Sequence, residues 1–529
     1  MKSKIKLISL VALAALTLTA CDFIFPNISN SGGYSYLPIW DGEAHKADAT
    51  ISDYIANSIY GYSSAPSEGE AKLLVIPVWF DDSDKYIDLA KRETVRQDIS
   101  KAFFGTIEDT GWQSVKSYYE TESHGVLTLT GTVSEWYGLD KNIALANYSV
   151  SVPNTTQLVK EATDWYFSNH SESRASYDKD KDGHLDGVIL IYGVPDYSAL
   201  GYTHSNNSTV SNLWAYCNWT RLDKNTLLPT VNVFLWASYV FMYGSNVASE
   251  RTGQFGYYSG DTRYCNIDAH TYIHEMGHIF GLTDYYDYSQ SYSPAGGFSM
   301  QDRNIGGHDP FSVFALGWAQ AYVPNQSATI NLKPFSTTGE IIILSPEFND
   351  INSPFDEYLI IEYYTRDGLN ELDSRYNYLN NLAYPTGPDK KGIRLWHVDA
   401  RLLYSKTGRF TASNVTTDPS TDKGRVAFMM SNTYAPGPEG YISPLGDDYG
   451  DYNLIQLIRN EVTATHKMKS AFSNNSLFTA ETGRNEFTMH KFDKQFVRRG
   501  KLNNGKQLGF TFKVNSLDVE HASISITKL

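Results

Sequence analysis

Residues 274–284 read His-Glu-Met-Gly-His-Ile-Phe-Gly-Leu-Thr-Asp, an HExxH core extended to HExxHxxGxxD. On a helix, His274 and His278 project from one face, close enough to share a metal ion, and Glu275 lies beside them toward the open coordination position. Glu275 is therefore the candidate general base. Gly281 can take the positive φ that ends a helix, and the returning chain brings Asp284 round as a candidate third ligand, with Asp287 as its competitor. Two imidazoles and one carboxylate leave a place for water, which is the pattern of catalytic zinc. A bare HExxH also arises by accident on amphipathic helices. The extension argues against accident: Asn266 or Asp268 offers an N-cap, the spacing predicts a helix over 267–280, and the glycine stop falls where a metal-binding turn needs it.

Upstream of this helix the pattern is α/β. Lys72–Phe80 carries the apolar run Leu-Leu-Val-Ile-Pro-Val-Trp-Phe, ended by Asp81-Asp82, as a buried central strand would be. Thr155–Ser168 places Leu158, Val159, Ala162, Trp165 and Tyr166 at helical spacing, and Val188–Tyr192 is a short β-branched strand. Between them, Asp178 to Asp186 reads Asp-Lys-Asp-Lys-Asp-Gly-His-Leu-Asp, with carboxylates at positions 1, 3, 5 and 9 and glycine at position 6 of a calcium loop. Asp178, Asp180, Asp182, His184 and Asp186 are its candidate ligands. Ile189 stands where an EF-hand would place its bidentate Glu, so the loop is expected to hold a structural calcium without an EF-hand pair; the competing reading is a solvated acidic turn.

Lys2, Lys4 and Lys6 precede an apolar run, Leu7 to about Leu18, that is too short for a stable membrane span and reads as a signal peptide over 1–20. Leu18-Thr19-Ala20-Cys21 has the form of a bacterial lipobox, which would leave Cys21 lipidated and the chain tethered, extracytoplasmic, to a bacterial membrane surface. The Asn/Ser/Gly-rich stretch that follows suits a spacer, and 21–69 is expected to be an anchored spacer or pro-segment. In an oxidising compartment Cys217 and Cys265 can pair; two buried thiols is the alternative, and Cys265 as a zinc ligand is disfavoured because the metal has its ligands already.

The chain has 529 residues, 41% hydrophobic and 19% charged, enough for a catalytic domain over 70–320 and a further unit over 321–529. Its net charge of −15 argues against nucleic acid as a partner. Beyond Trp318 the composition turns to short strands, among them Ala328–Leu332, Gly339–Leu344 and Leu508–Val514, so the C-terminal unit is expected to be β-rich and sandwich-like. No feature calls for a second copy, and a monomer is expected.

Several segments together resemble the immune inhibitor A type of secreted bacterial metallopeptidase, a zincin group. They are Ser114–Gly125 with Leu127 and Trp136, Asp178–Val188, Trp214, Gly281–Asp287 (with Thr283 where the family has proline), Gly297–Met300, Pro310–Trp318, Glu357–Glu362 and Gly392–Asp399. The resemblance covers about residues 70–400. It implies an α/β zincin-like catalytic domain, a mixed twisted sheet plus the active-site helix, that cleaves protein or peptide substrates. It implies zinc on His274, His278 and Asp284, Glu275 as base, and Met300 in a turn beneath the metal. Tyr285 or Tyr286 would serve the oxyanion, and the sequence does not choose between them. His270, one turn before His274, reads as a cleft residue, and His397 and Asp399 as packed or hydrogen-bonded strand residues.

Overall fold

The computed structural model describes residues 24–26, 40–56, 62–203, 209–244, 267–288, 292–346, 353–379, 384–405, 415–416, 426–428, 431–433 and 452–529. Cys21, the signal peptide, residues 27–39 and 57–61 of the expected spacer, and Cys265 lie outside them.

The apolar run at 72–80 forms the strand Gly69–Val78, and its two sides feed two different cores. Leu73 and Val75 point into one, Leu74, Ile76 and Val78 into the other, as the two-residue period of a strand requires. Leu127–Val133 and Gly187–Tyr192 flank it in parallel, Val233–Ser238 continues the parallel set, and Tyr216–Trp219 closes the edge antiparallel. The helix Val152–Asn169 covers one face with Leu158, Val159, Ala162 and Tyr166. Arg92–Phe104 covers the other with Ile99, Ala102 and Phe103, alongside the HExxH helix, which contributes Ile273, Met276 and Ile279. Helices on both faces explain why these strands read as continuous apolar runs rather than alternating ones.

The HExxH helix runs His270–Ile279, shorter at its start than the sequence suggests. Asp268 stands just before it and accepts from His270 N at 3.0 Å. Its end is set by Gly281 at φ +101, where a Cβ would come within 2.4 Å of Ile55 Cδ1, so backbone conformation and packing both demand glycine.

Ile55 belongs to the segment expected to be a spacer or pro-segment, and its described residues from 40 onward pack on the body. Ala49, Ile51, Ile55 and Ala65 are buried. Ala65 N donates to Ile279 O (2.9 Å), and Trp219 and Trp318 donate their indole N–H to Ser63 O (2.8 Å) and Ser67 O (2.7 Å). The folded body thus begins no later than residue 40, not near 70, because a sparse set of apolar residues with no period of its own finds its partners on the HExxH helix and on Trp318.

The later strands form a middle sheet, ordered Ile455–Ile458, Gly392–Asp399, Glu357–Tyr364, Glu340–Leu344, Gln320–Tyr322. An outer sheet is ordered Glu486–Phe487, Phe510–Leu517, Ala522–Lys528, Ala328–Leu332. Leu359, Ile361, Leu395 and Ile342 meet Phe512, Val514 and Ile524 of the outer sheet, making a two-layer sandwich. The opposite face of the middle sheet, with Ile341, Ile343, Ile360 and Trp396, joins the same core as Ile273 and Met276. The chain therefore passes residue 320 without leaving the first core, and the middle sheet is shared by both halves. A small further sheet pairs Ile24–Pro26, Val426–Phe428, Leu403–Ser405 and Val415–Thr416. No helix among the described residues is long and apolar enough to cross a membrane.

Candidate metal centre

One helical turn places His274 and His278 side by side, and the glycine turn brings Asp284 back to them. His274 Nε2 lies 2.9 Å and His278 Nε2 3.4 Å from Asp284 Oδ1. All three residues are buried, and their ligand atoms lie within 4.8 Å of one another. The rings are oriented from behind: His274 Nδ1 lies 2.8 Å from the Met300 carbonyl oxygen and His278 Nδ1 2.8 Å from that of Leu282. Carbonyls only accept, so each Nδ1 carries a proton and each Nε2 is free to offer its lone pair to a shared point, the arrangement that metal-ligating histidines show. Asp284 Oδ2 is fixed separately by the Tyr288 hydroxyl at 2.7 Å. A nitrogen, nitrogen, carboxylate set fits zinc.

The electrostatics agree with a cation position. Burial opposes the charge on His278, but Asp284 overrides it and raises the imidazole to about 9. Burial likewise works to raise Asp284, yet His278 and His274 hold its carboxyl well below the ordinary range. Glu275 is buried and raised by that burial, and its Oε2 has no hydrogen-bond partner among the described residues. An unpartnered buried carboxylate oxygen beside a ligand cluster is costly unless a water or substrate proton completes it.

Met300 starts the short helix Met300–Arg303, is fully buried, and contributes its backbone carbonyl to His274. Asp287 is buried but is not part of the ligand group. Tyr285 spends its hydroxyl on Ser312 Oγ at 2.9 Å. Tyr286 is raised by burial and then by the Asp284 and Glu275 carboxylates. Tyr288 escaped the sequence reading because nothing in its spacing distinguishes it from its neighbours.

His270 is not a cleft residue. It is fully buried, stacked between Trp112 (ring centroids 3.9 Å apart) and Tyr378 (4.1 Å), with Nδ1 2.7 Å from Asp268 Oδ1 and Nε2 3.8 Å from Asp373 Oδ2. His308 was also missed. It is buried with neither ring nitrogen hydrogen-bonded among the described residues, and burial, with His274 and His278, lowers it to about 3, so it is neutral. His397 is held by Glu357 (2.9 Å) and Asp399 by Arg401 (2.7 and 2.8 Å), consistent with packed strand residues. Cys217 is buried with Sγ 3.0 Å from the Glu275 carbonyl oxygen, and its expected pairing with Cys265 falls outside the described residues.

The acidic loop forms a second cluster, in which Asp178, Asp180 and Asp186 bring carboxylate oxygens together. Asp178 Oδ1 is buried without a hydrogen-bond partner among the described residues. Burial, followed by Asp182, raises Asp180 to about 7, and burial raises Asp186 to about 8. Asp182 accepts from His184 N at 2.7 Å and stands outside the converging group. The His184 ring lies against Thr230 Oγ1 (3.0 Å) and Asn232 Nδ2 (3.3 Å), which leaves its backbone carbonyl as the atom that the seventh position of a calcium loop offers.

No family model matches the chain. The pre-pro-metalloprotease PrtV of Vibrio cholerae, in two serotype O1 strains, is 25% identical to it over 240 residues, which is 40% of this chain and 24% of the relative. The chain therefore spans about a quarter of the length of the curated relatives it matches. It is a distant relative of a metallopeptidase, and the relationship implies a metal.

Proposed function

We propose that the chain is an extracytoplasmic zinc endopeptidase of zincin-like fold that hydrolyses peptide bonds in protein or peptide substrates. The single observation carrying this reading is the convergence of His274 Nε2, His278 Nε2 and Asp284 Oδ1, each ligand oriented from behind, beside Glu275, whose Oε2 has no hydrogen-bond partner among the described residues. The distant likeness to a metalloprotease supports it. His274, His278 and Asp284 would hold the zinc, which when bound acidifies water and polarises the scissile carbonyl. Glu275 takes the proton of the attacking water and returns it to the leaving amine. The Tyr286 hydroxyl donates to the developing oxyanion. The Met300 and Leu282 carbonyls keep both imidazoles in the tautomer that ligates.

The acidic loop would hold a structural calcium through Asp178, Asp180 and Asp186, whose mutual repulsion a divalent cation relieves. Cys21 would carry the lipid that anchors the enzyme, acting as a monomer, at a bacterial membrane surface. A second reading, a lipid-anchored calcium-dependent binding protein on a retired protease scaffold, leaves Glu275 without a purpose.

The test is cleavage of denatured casein by the soluble chain from Asp22 onward and by Glu275→Ala, with zinc content determined on both. Cleavage by the parent, lost in a variant that still holds one zinc, is the expected result. Zinc bound in both without cleavage by either would transfer the weight to the binding protein.

A further inference from the structure

We infer that Asn432, far along the chain in the β-rich part, is a positioning residue for Asp284: with Thr433 it straps residues 285–288 to the middle sheet and so fixes the third ligand. The inference rests on the zinc reading of the centre. Asp284 sits in a stretch with no helix or strand of its own, residues 282–288, so local backbone bonding cannot hold its carboxylate to the tolerance that a metal demands.

Asn432 supplies what is missing. Its Nδ2 donates to Tyr285 O and to Ile455 O, both at 2.9 Å, and its Oδ1 accepts from Ile455 N at 3.1 Å. Both amide hydrogens and the carbonyl are committed, and the residue is fully buried. One residue on, Thr433 O accepts from Tyr288 N at 3.0 Å. Tyr288, held there by its backbone, donates its hydroxyl to Asp284 Oδ2 at 2.7 Å, leaving Oδ1 for the histidines. The Tyr285–Tyr286 peptide, one removed from Asp284, and the backbone of the tyrosine whose hydroxyl orients its carboxylate are therefore fastened by residues 432 and 433, while the intervening Tyr285 N–H donates to Gln301 O at 2.9 Å. The strand Ile455–Ile458 anchors the strap and belongs to the sheet shared by the two halves of the molecule.

A purely structural role would lower stability and leave the metal alone, so the experiment measures both. The full chain, Asn432→Ser, Tyr288→Phe and the double variant are compared for the zinc dissociation constant by chelator competition, for the visible spectrum of the cobalt-substituted form, and for the melting temperature of the metal-free form. Zinc affinity is expected to fall about 10-fold in each single variant, with an altered cobalt spectrum and a combined loss smaller than the product of the two. Wild-type zinc affinity and cobalt spectra in both single variants would overturn the inference, as would losses that multiply independently. If Asn432→Ser does not fold, a Tyr288→Phe variant with unchanged zinc affinity still overturns it, because the strap acts on the carboxylate through that hydroxyl. A parent chain that binds no zinc would instead bring down the zinc reading itself.

Discussion

The chain carries two clusters that suit a metal ion, and they are built in opposite ways. The acidic loop is local. Asp178, Asp180 and Asp186 fall in a single turn, made possible by Gly183 at φ +94 and Lys181 at φ +62, and nearby backbone amides aim the carboxylates: Gly183 N to Asp178 (3.1 Å), Asp182 N to Asp180 (3.2 Å), Lys179 N to Asp186 (2.8 Å). A distant amide, Lys72 N, lies 2.6 Å from Asp186 Oδ2 and stitches the loop to the central strand. The histidine centre takes its candidate ligands from a short stretch too, but of its orienting groups only the Leu282 carbonyl and the Tyr288 hydroxyl are local, and the others come from Met300 and, behind Tyr288, from residues 432–433. A hard cation tolerates irregular oxygen geometry, so one loop can make its site. A tetrahedral nitrogen and oxygen centre does not, and has to borrow its alignment from remote chain.

Charge divides them as well. The converging side chains of the loop are all carboxylates, and burial raises Asp180 and Asp186, whereas the histidine centre sets imidazoles against a carboxylate. The first should therefore act on stability and the second on chemistry.

The strongest way to break this contrast is His278→Ala. It should abolish bound zinc and reduce kcat/KM by at least about 1,000-fold, while leaving the rise in melting temperature on adding calcium unchanged. Loss of the calcium response in that variant, followed by thermal melting, would mean the two clusters are not independent.

A smaller effect concerns the charge buried at the start of the HExxH helix. Burial disfavours the imidazolium of His270, but Asp268 and then Asp373 raise it to about 9. A histidine raised on folding contributes stability that is fully present below its unfolded value, near 6.5, and lost as pH climbs through about 9. Denaturant unfolding from pH 6 to 10 should lose up to about 3 kcal/mol on the alkaline side, and His270→Asn should flatten that limb. A limb of the same size in the variant would exclude His270 as its source.

Smallest is the expected effect of the acidic loop. Saturating calcium should raise the melting temperature of the parent by about 5 °C, and Asp178→Asn should remove that rise with zinc content unchanged. An equal rise in the variant would put the calcium elsewhere.

The central strand was legible because an apolar run of strand length has few other readings, and the HExxH helix because its ligands and its glycine stop lie within a few turns. That Ile51 and Ile55 pack on the body was not legible, since they gain their meaning only against Gly281. The shared middle sheet was hidden for a similar reason: a strand buried on both faces does not declare which core each face enters.

By itself the sequence determined the chemistry on offer: two imidazoles and a glutamate on one helical face, and a run of carboxylates in one loop. Those follow from spacings of a few residues, over which backbone geometry is fixed. Only the tertiary structure decided which aspartate and which tyrosine turn inward and what holds them there. That choice depends on hydrogen bonds reaching from Tyr285 and Tyr288 to residues 432 and 433, and no local pattern encodes contacts between residues so far apart in the chain.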